Sequence, residues 1–277
     1  MNKARTVPIF SVSISDETYG DASPITLQGG FEKNLLIASQ MGFGGVEIQT
    51  HTPSRFDWTK LEDTVLKNNL MVTAFGTGLE YGVNHLCFTS SDSSIRKQIN
   101  ERFKEYIKLA SRFGSVVFIG LCRGTAPSYA ERQKYLNMLK NEIEPLYEYA
   151  SSMGVVLVLE PIVFYLTNLL NTTQEAMEFL DVSNFKNIRL LLDTHHMFIE
   201  DKDYIQSFRD AGNLIAHIHI SDSNRCYAGA GNVDYTAVGA VLKEIGYTHP
   251  VSLETLPIPT GEVAAKKSLE WMQGVWS

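Results

Sequence analysis

Apolar residues fall into two alternating patterns along this chain. Short, nearly continuous apolar runs rich in β-branched residues predict strands covered on both faces. They are Pro8–Ile14, Gly45–Thr50, Met71–Gly76, Ser115–Gly120, Val155–Pro161, Ile188–Thr194, Ile215–Asp222 and Pro250–Pro257. Between them, longer stretches repeat their apolar residues at helical spacing. These predict helices at Leu27–Met41, Trp58–Asn68, Ser94–Phe113, Tyr129–Ser152, Thr173–Leu180, Tyr204–Ala211, Tyr235–Ile245 and Gly261–Trp276. Gly42, Gly114, Gly154 and Gly246 each close a helical stretch just before the next strand, where a left-handed residue commonly ends a helix.

Eight strand–helix units in strict alternation, with no long linker, predict one closed (β/α)8 TIM barrel, a single domain over residues 1–277. A doubly wound open sheet would carry a glycine-rich phosphate turn after its first strand. Here that turn reads Ser11 to Asp21 with no such motif, and Gly76-Thr77-Gly78 follows the third strand without a third glycine. No solenoid repeat or low-complexity segment appears.

Composition narrows the function classes. The 277 residues are 44% hydrophobic and 20% charged, with a formal net charge of −7. Such a field repels phosphate, so nucleic acid is not an expected partner. No apolar run reaches membrane-spanning length. The opening Met1–Phe10 has no apolar core of leader length, so a secretory signal is not expected. The odd number of cysteines, Cys87, Cys122 and Cys226, without a Cys-x-x-Cys pair, suggests reduced thiols in a cytoplasmic protein.

In a barrel of this kind the active site sits at the carboxyl ends of the strands. The fifth predicted strand ends in Glu160, the sixth in Asp193, the seventh carries His217 and His219, and the eighth ends in Glu254. Alternation places Glu160 with Val158 and Val156, His219 with His217 and Ile215, and Glu254 with Ser252, so each set can face the barrel axis. A lone carboxylate at a strand end is ordinarily a cap or an ion-pair partner. Successive strands ending this way are different, because crowded buried carboxylates repel and one would have to take up a proton. One divalent cation removes that conflict. Three carboxylates and an imidazole suit Mn²⁺, Mg²⁺, Co²⁺ or Zn²⁺.

These motifs resemble the xylose-isomerase-like barrel superfamily of sugar isomerases and epimerases. The chain is similar to the D-tagatose and D-psicose 3-epimerase branch and to epimerases acting on 5-keto-L-gluconate. The most specific pieces are Asp193-Thr194-His195-His196-Met197 and His219-Ile220-Ser221-Asp222-Ser223-Asn224-Arg225, with the flanking glutamates. The resemblance implies that Glu160, Asp193, His219 and Glu254 hold the metal, and that Glu160 and Glu254 also act as the acid–base pair. It implies that His196 and Arg225 hold substrate oxygens. The implied activity is epimerisation or isomerisation of a ketose, keto-sugar acid or sugar phosphate, by proton transfer through an enediolate with the cation as Lewis acid. One stretch departs from the family pattern. Relatives usually read Glu-Pro-Leu-Asn-Arg-Tyr-Glu-Thr-Asn after the fifth strand, and here Val163, Phe164 and Leu166 replace the Asn, the Arg and the second Glu. In the family that Glu contacts the sugar near the reacting carbons, so a different or less hydroxylated substrate is expected.

Further residues have weaker claims. Glu47 ends the second strand and could reach the substrate, with a structural role as the preferred reading. Arg123, after the fourth strand, is the candidate partner for a substrate carboxylate or phosphate, and otherwise a surface cation. His217 is expected to support the site from behind and His195 to orient a loop, while Phe10, Phe75 and Tyr165 are candidates for stacking on a sugar. A keto-inositol-type dehydratase on the same scaffold and a non-catalytic sugar-binding protein remain as alternatives. The DNA-repair endonuclease of the superfamily is disfavoured, since its additional metal ligands are not matched by Cys122, Asn232 and Asp234. Homo-oligomerisation is left open.

Overall fold

A computed structural model describes residues 7–276. Met1–Thr6, part of the segment on which the leader reading rests, and Ser277 lie outside the described residues. The strands are β1 (Phe10–Ser15), β2 (Gly45–Gln49), β3 (Met71–Gly76), β4 (Val116–Ile119), β5 (Leu157–Leu159), β6 (Ile188–Asp193), β7 (Ile215–Ile220) and β8 (Val251–Leu253). They pair in parallel in chain order, and β8 closes back onto β1. Around them lie α1 (Phe31–Met41), α2 (Trp58–Lys67), α3 (Gly78–Gly82), α4 (Ser93–Phe113), α5 (Arg132–Ser152), α6 (Thr173–Ser183), α7 (Thr194–Glu200), α8 (Tyr204–Ala211), α9 (Tyr235–Glu244) and α10 (Gly261–Trp276).

The helices form for the reasons the periodicity gave. In α4, Ile99, Phe103, Tyr106, Ile107 and Ala110 are buried, one stripe at helical spacing. Asp92 caps its first turn, accepting from the Ser94 amide at 2.7 Å. Gly42, Gly114, Gly154 and Gly246 all adopt positive φ, so the expected helix stops are present. Two short helices, α3 and α7, were not expected from the pattern, because neither is long enough to show a period.

The barrel interior is layered. At its base Ser11 and Thr73 share a hydrogen bond of 2.8 Å, and Gly45 packs against Thr73. Above lies a small apolar cluster of Ala74, Phe118, Val158, Leu191 and Ala216. Above that the interior turns polar, with Glu47, Gln49, Asp193, His217, His219 and Ser252 all buried.

Two register shifts decide which side chains reach that polar layer. Val46 pairs with Val72 but Glu47 with Ala74, so Thr73 is an extra residue in β3. Leu190 pairs with Ile215 but Leu191 with His217, so Ala216 is an extra residue in β7. Simple alternation put Ile215 on the same face as His217. Instead Ile215 packs in the outer core beneath the helices, and Ala216 joins the inner cluster. The bulge is what turns His217 and His219 inward.

The tight base yields a prediction. A Cβ on Gly45 would lie 2.7 Å from the Thr73 methyl and 3.1 Å from the Met71 carbonyl. Gly45→Ala should therefore lower the urea-unfolding stability by about 1–3 kcal/mol. Adding Thr73→Ser, which removes the methyl but keeps the hydroxyl, should recover most of the loss.

Candidate metal centre and active site

Glu160 and Glu254 stand one residue past strands β5 and β8, yet both remain pinned to the sheet. The Glu160 amide donates to the Ile119 carbonyl at 3.2 Å and the Glu254 amide to the Ile220 carbonyl at 3.3 Å. Asp193 ends β6 and also caps α7, accepting from the His195 amide at 2.8 Å. His219 projects inward from β7 opposite both Asp193 and Ser252. One donor atom from each of Glu160, Asp193, His219 and Glu254 lies within 4.8 Å of all the others.

The imidazole of His219 is the centre of this group. Its Nε2 donates to Glu47 Oε2 at 2.9 Å, as does Nε2 of His217. Its Nδ1 faces Glu254 Oε2 at 3.4 Å, Glu160 Oε1 at 3.5 Å and Asp193 Oδ2 at 3.7 Å. That nitrogen is buried without a hydrogen-bond partner. A buried imidazole nitrogen surrounded by three carboxylate oxygens fits a divalent cation, which would take the place of the proton those carboxylates favour there and satisfy all four groups together.

The electrostatics point the same way. Burial disfavours a charge on His219, but Glu47 and Glu254 push its pKa well above the ordinary value. Burial opposes ionisation of Glu47, yet the charge of His219 and the His217 bond hold its carboxyl well below the usual range. Asp193 is also buried and is held low by Arg225 and then His196. Burial raises the Glu160 carboxyl, with His219 only partly offsetting it. These carboxylates therefore compete for positive charge.

Arg225 supplies some of it. Its guanidinium donates through Nη1 to Asp193 Oδ2 and to Ser221 Oγ, and through Nη2 to Glu254 Oε2. Its backbone is left-handed, with φ 64°, held by its amide on the Asp222 carbonyl at 2.7 Å. Asp222 organises the rest of that loop, accepting from the amides of Ser223, Gly229 and Val233. His196 lines the cavity with Nε2 3.9 Å from Glu160 Oε1. Burial holds its pKa well below the ordinary value, so it is neutral at pH 7. His195 donates from Nδ1 to the Asp222 carbonyl at 3.1 Å and accepts the Tyr165 hydroxyl at Nε2 at 2.9 Å.

Several sequence-based expectations need correction. Glu47 is fully buried beneath His219 and does not line the cavity. It holds His219 from behind, as His217 does, which is the structural role preferred from the sequence. Arg123 is not a surface cation. It is fully buried, and its guanidinium donates to the carbonyls of Gly120, Leu169 and Leu170 at 3.0–3.1 Å. Burial lowers its pKa to about 10, still charged at neutral pH. Phe75 packs against Trp58 and Phe113, and Phe10 against Trp276, both in the outer core. Of the aromatic candidates, Tyr165 lines the cavity. Gln49 was overlooked: it donates to Glu47 Oε1 at 2.9 Å and to Glu254 Oε1 at 3.3 Å. Its shared parity with Glu47 on β2 was the available signal.

Two outcomes test this arrangement. Chelator-treated protein titrated with Mn²⁺ should gain about 3 kcal/mol of stability at a hundredfold excess over Kd. Asp193→Ala and His219→Ala should each lose most of that gain, whereas equal gains in all three proteins would place the ion elsewhere. Arg123→Met should cost about 3 kcal/mol, because it strands several buried carbonyls. Its Mn²⁺ response should be retained, as measured by the same thermal shifts.

Comparison with known proteins places the fold and this centre in context. The xylose isomerase-like TIM barrel family model matches residues 35–275. The L-ribulose 3-epimerase of Methylomonas sp. (strain DH-1) is 32% identical over 231 residues, 82% of this chain and 78% of that protein. The ketose 3-epimerase of Arthrobacter globiformis is 28% identical over 249 residues, 89% of this chain and 83% of that protein. The crystal structure of D-allulose 3-epimerase from Methylomonas sp. in complex with D-allulose shares the fold, with a TM-score of 0.81 at 24% identity over 98% of each chain. The chain belongs to the xylose isomerase-like TIM barrel family.

Proposed function

We propose that this protein is a metal-dependent epimerase that inverts a carbon next to the carbonyl of a keto-sugar. The observation that carries this reading is the convergence of Glu160, Asp193 and Glu254 on the unpartnered Nδ1 of His219, at the mouth of the barrel. The named activities of the relatives, ketose and L-ribulose 3-epimerases, support it.

Glu160, Asp193, His219 and Glu254 would hold the cation, with Mn²⁺ proposed first because the donor set is three carboxylates and one imidazole. When bound, such an ion supplies Lewis-acid polarisation of a carbonyl and its neighbouring hydroxyl. The chain's own groups do the rest. Glu160 and Glu254 come from strands on opposite sides of the β6–β7 pair, so they can flank a bound sugar. One carboxylate takes the proton from the carbon beside the carbonyl, and the other returns a proton to the opposite face. Arg225 and neutral His196, both lining the cavity, donate to the oxygens on which negative charge develops. Gln49, bonded to both Glu47 and Glu254, holds Glu254 in place. A cytoplasmic location is proposed from the unpaired state of Cys87, Cys122 and Cys226. No described helix is long and apolar enough to cross a membrane.

The test is solvent exchange. In deuterated water, Glu160→Gln and Glu254→Gln should each slow deuterium incorporation beside the substrate carbonyl by about 10²–10⁴-fold. NMR reads that exchange and identifies the product, so a dehydrated product would favour the lyase over the epimerase. Wild-type exchange rates in both variants would defeat the acid–base assignment.

A further inference from the structure

The cavity above the cluster encloses about 430 Å³, and its polarity is one-sided. Gln49, Glu160, His195, His196, Arg225 and Glu254 line it, and each belongs to the cluster or is bonded or close to a member of it. The Tyr165 hydroxyl donates to His195, so its oxygen belongs to the same polar side. Apart from Ser23 and small residues, the remaining wall is Ile25, Leu79, Phe118, Leu121, Ile162, Leu166 and Leu256. Among the described residues of that wall, Ser23 alone offers a side-chain hydrogen bond to a sugar hydroxyl.

Charge is restricted as well. Among the described lining residues Arg225 is the single Lys or Arg, and its guanidinium is engaged by Asp193 and Glu254. Arg123, fully buried after β4, spends its donors on backbone carbonyls. A substrate phosphate or carboxylate held away from the proposed cation and Arg225 would meet no cationic side chain among the described lining residues, at high cost. Leu166 is part of the apolar wall and half-exposed at its edge.

We propose, resting on the epimerase reading above, that the substrate is an uncharged keto-sugar bearing an apolar group where it meets Leu166. That group is a deoxy carbon or an alkyl-capped oxygen in place of a free hydroxyl. A hydroxyl buried against this wall loses its water without gaining a partner, whereas a methyl gains contact.

The experiment compares Mn²⁺-loaded enzyme on a ketohexose, its 1-deoxy and 6-deoxy analogues, a methyl keto-glycoside and the ketohexose 6-phosphate. Deuterium exchange beside the carbonyl is the readout. At least one deoxy or O-methyl compound should exceed the parent in kcat/KM by about 10–100-fold, and the phosphate should be slowest. Which compound leads separates the deoxy carbon from the capped oxygen. Leu166→Gln should cut that preference about tenfold while the parent still exchanges and the thermal midpoint holds. A parent ketohexose or phosphate as the best substrate overturns this proposal and leaves the epimerase reading standing. A parallel fall for every compound in Leu166→Gln gives that residue a structural role and also overturns it. Absence of exchange with every compound overturns both readings.

Discussion

The two nitrogens of His219 face opposite chemistry, and the upper barrel is organised around that fact. Below, Glu47 fixes Nε2 as a donor, and His217 shares the same carboxylate oxygen. Above, Nδ1 is left facing Glu160, Asp193 and Glu254. A carboxylate behind an imidazole fixes its tautomer and raises its strength as a ligand. The proposed cation, the acid–base pair and the position of Arg225 all depend on that orientation.

Placing such a group inside a barrel requires polar interior positions to be satisfied by one another. Glu47, Gln49, His217 and His219 form a buried network, and removing one member would leave the rest with unpaired charge. The apolar cluster of Ala74, Phe118, Val158, Leu191 and Ala216 seals it from below. Phe118 also sets its ring edge-on to His219, with centroids 5.4 Å apart, so the seal and the site share a side chain. The bulges at Thr73 and Ala216 adjust strand parity without interrupting the outer core, where Val72, Phe75, Ile215 and Ile218 continue to face the helices.

The loops divide the remaining work. The loop after β7, organised by Asp222, delivers Arg225 in a left-handed conformation onto Asp193 and Glu254. The loop after β5 brings Tyr165 to His195 and Leu166 to the cavity wall. Arg123 stitches that second loop to β4 through the Leu169 and Leu170 carbonyls. A cation that looks available in the sequence is thus consumed by backbone. That leaves the cavity's chemistry strongly polar at the cluster and apolar elsewhere.

Much of this was legible in the chain itself. Apolar runs bounded by turn residues marked all eight strands, because strands covered on both faces have little polar content. Helix-ending glycines marked the junctions, since left-handed backbone favours glycine. Residues at the ends of the last four strands marked the cluster, because strand ends in a closed barrel converge on one mouth. What tertiary structure decided was direction and partnership. Pairing register, which no local pattern encodes, put Ile215 outside and Ala216 inside. The depth of Glu47 beneath His219, the carbonyls around Arg123 and the reach of Gln49 to Glu254 arise between segments far apart in sequence, so they exist only once the barrel has closed.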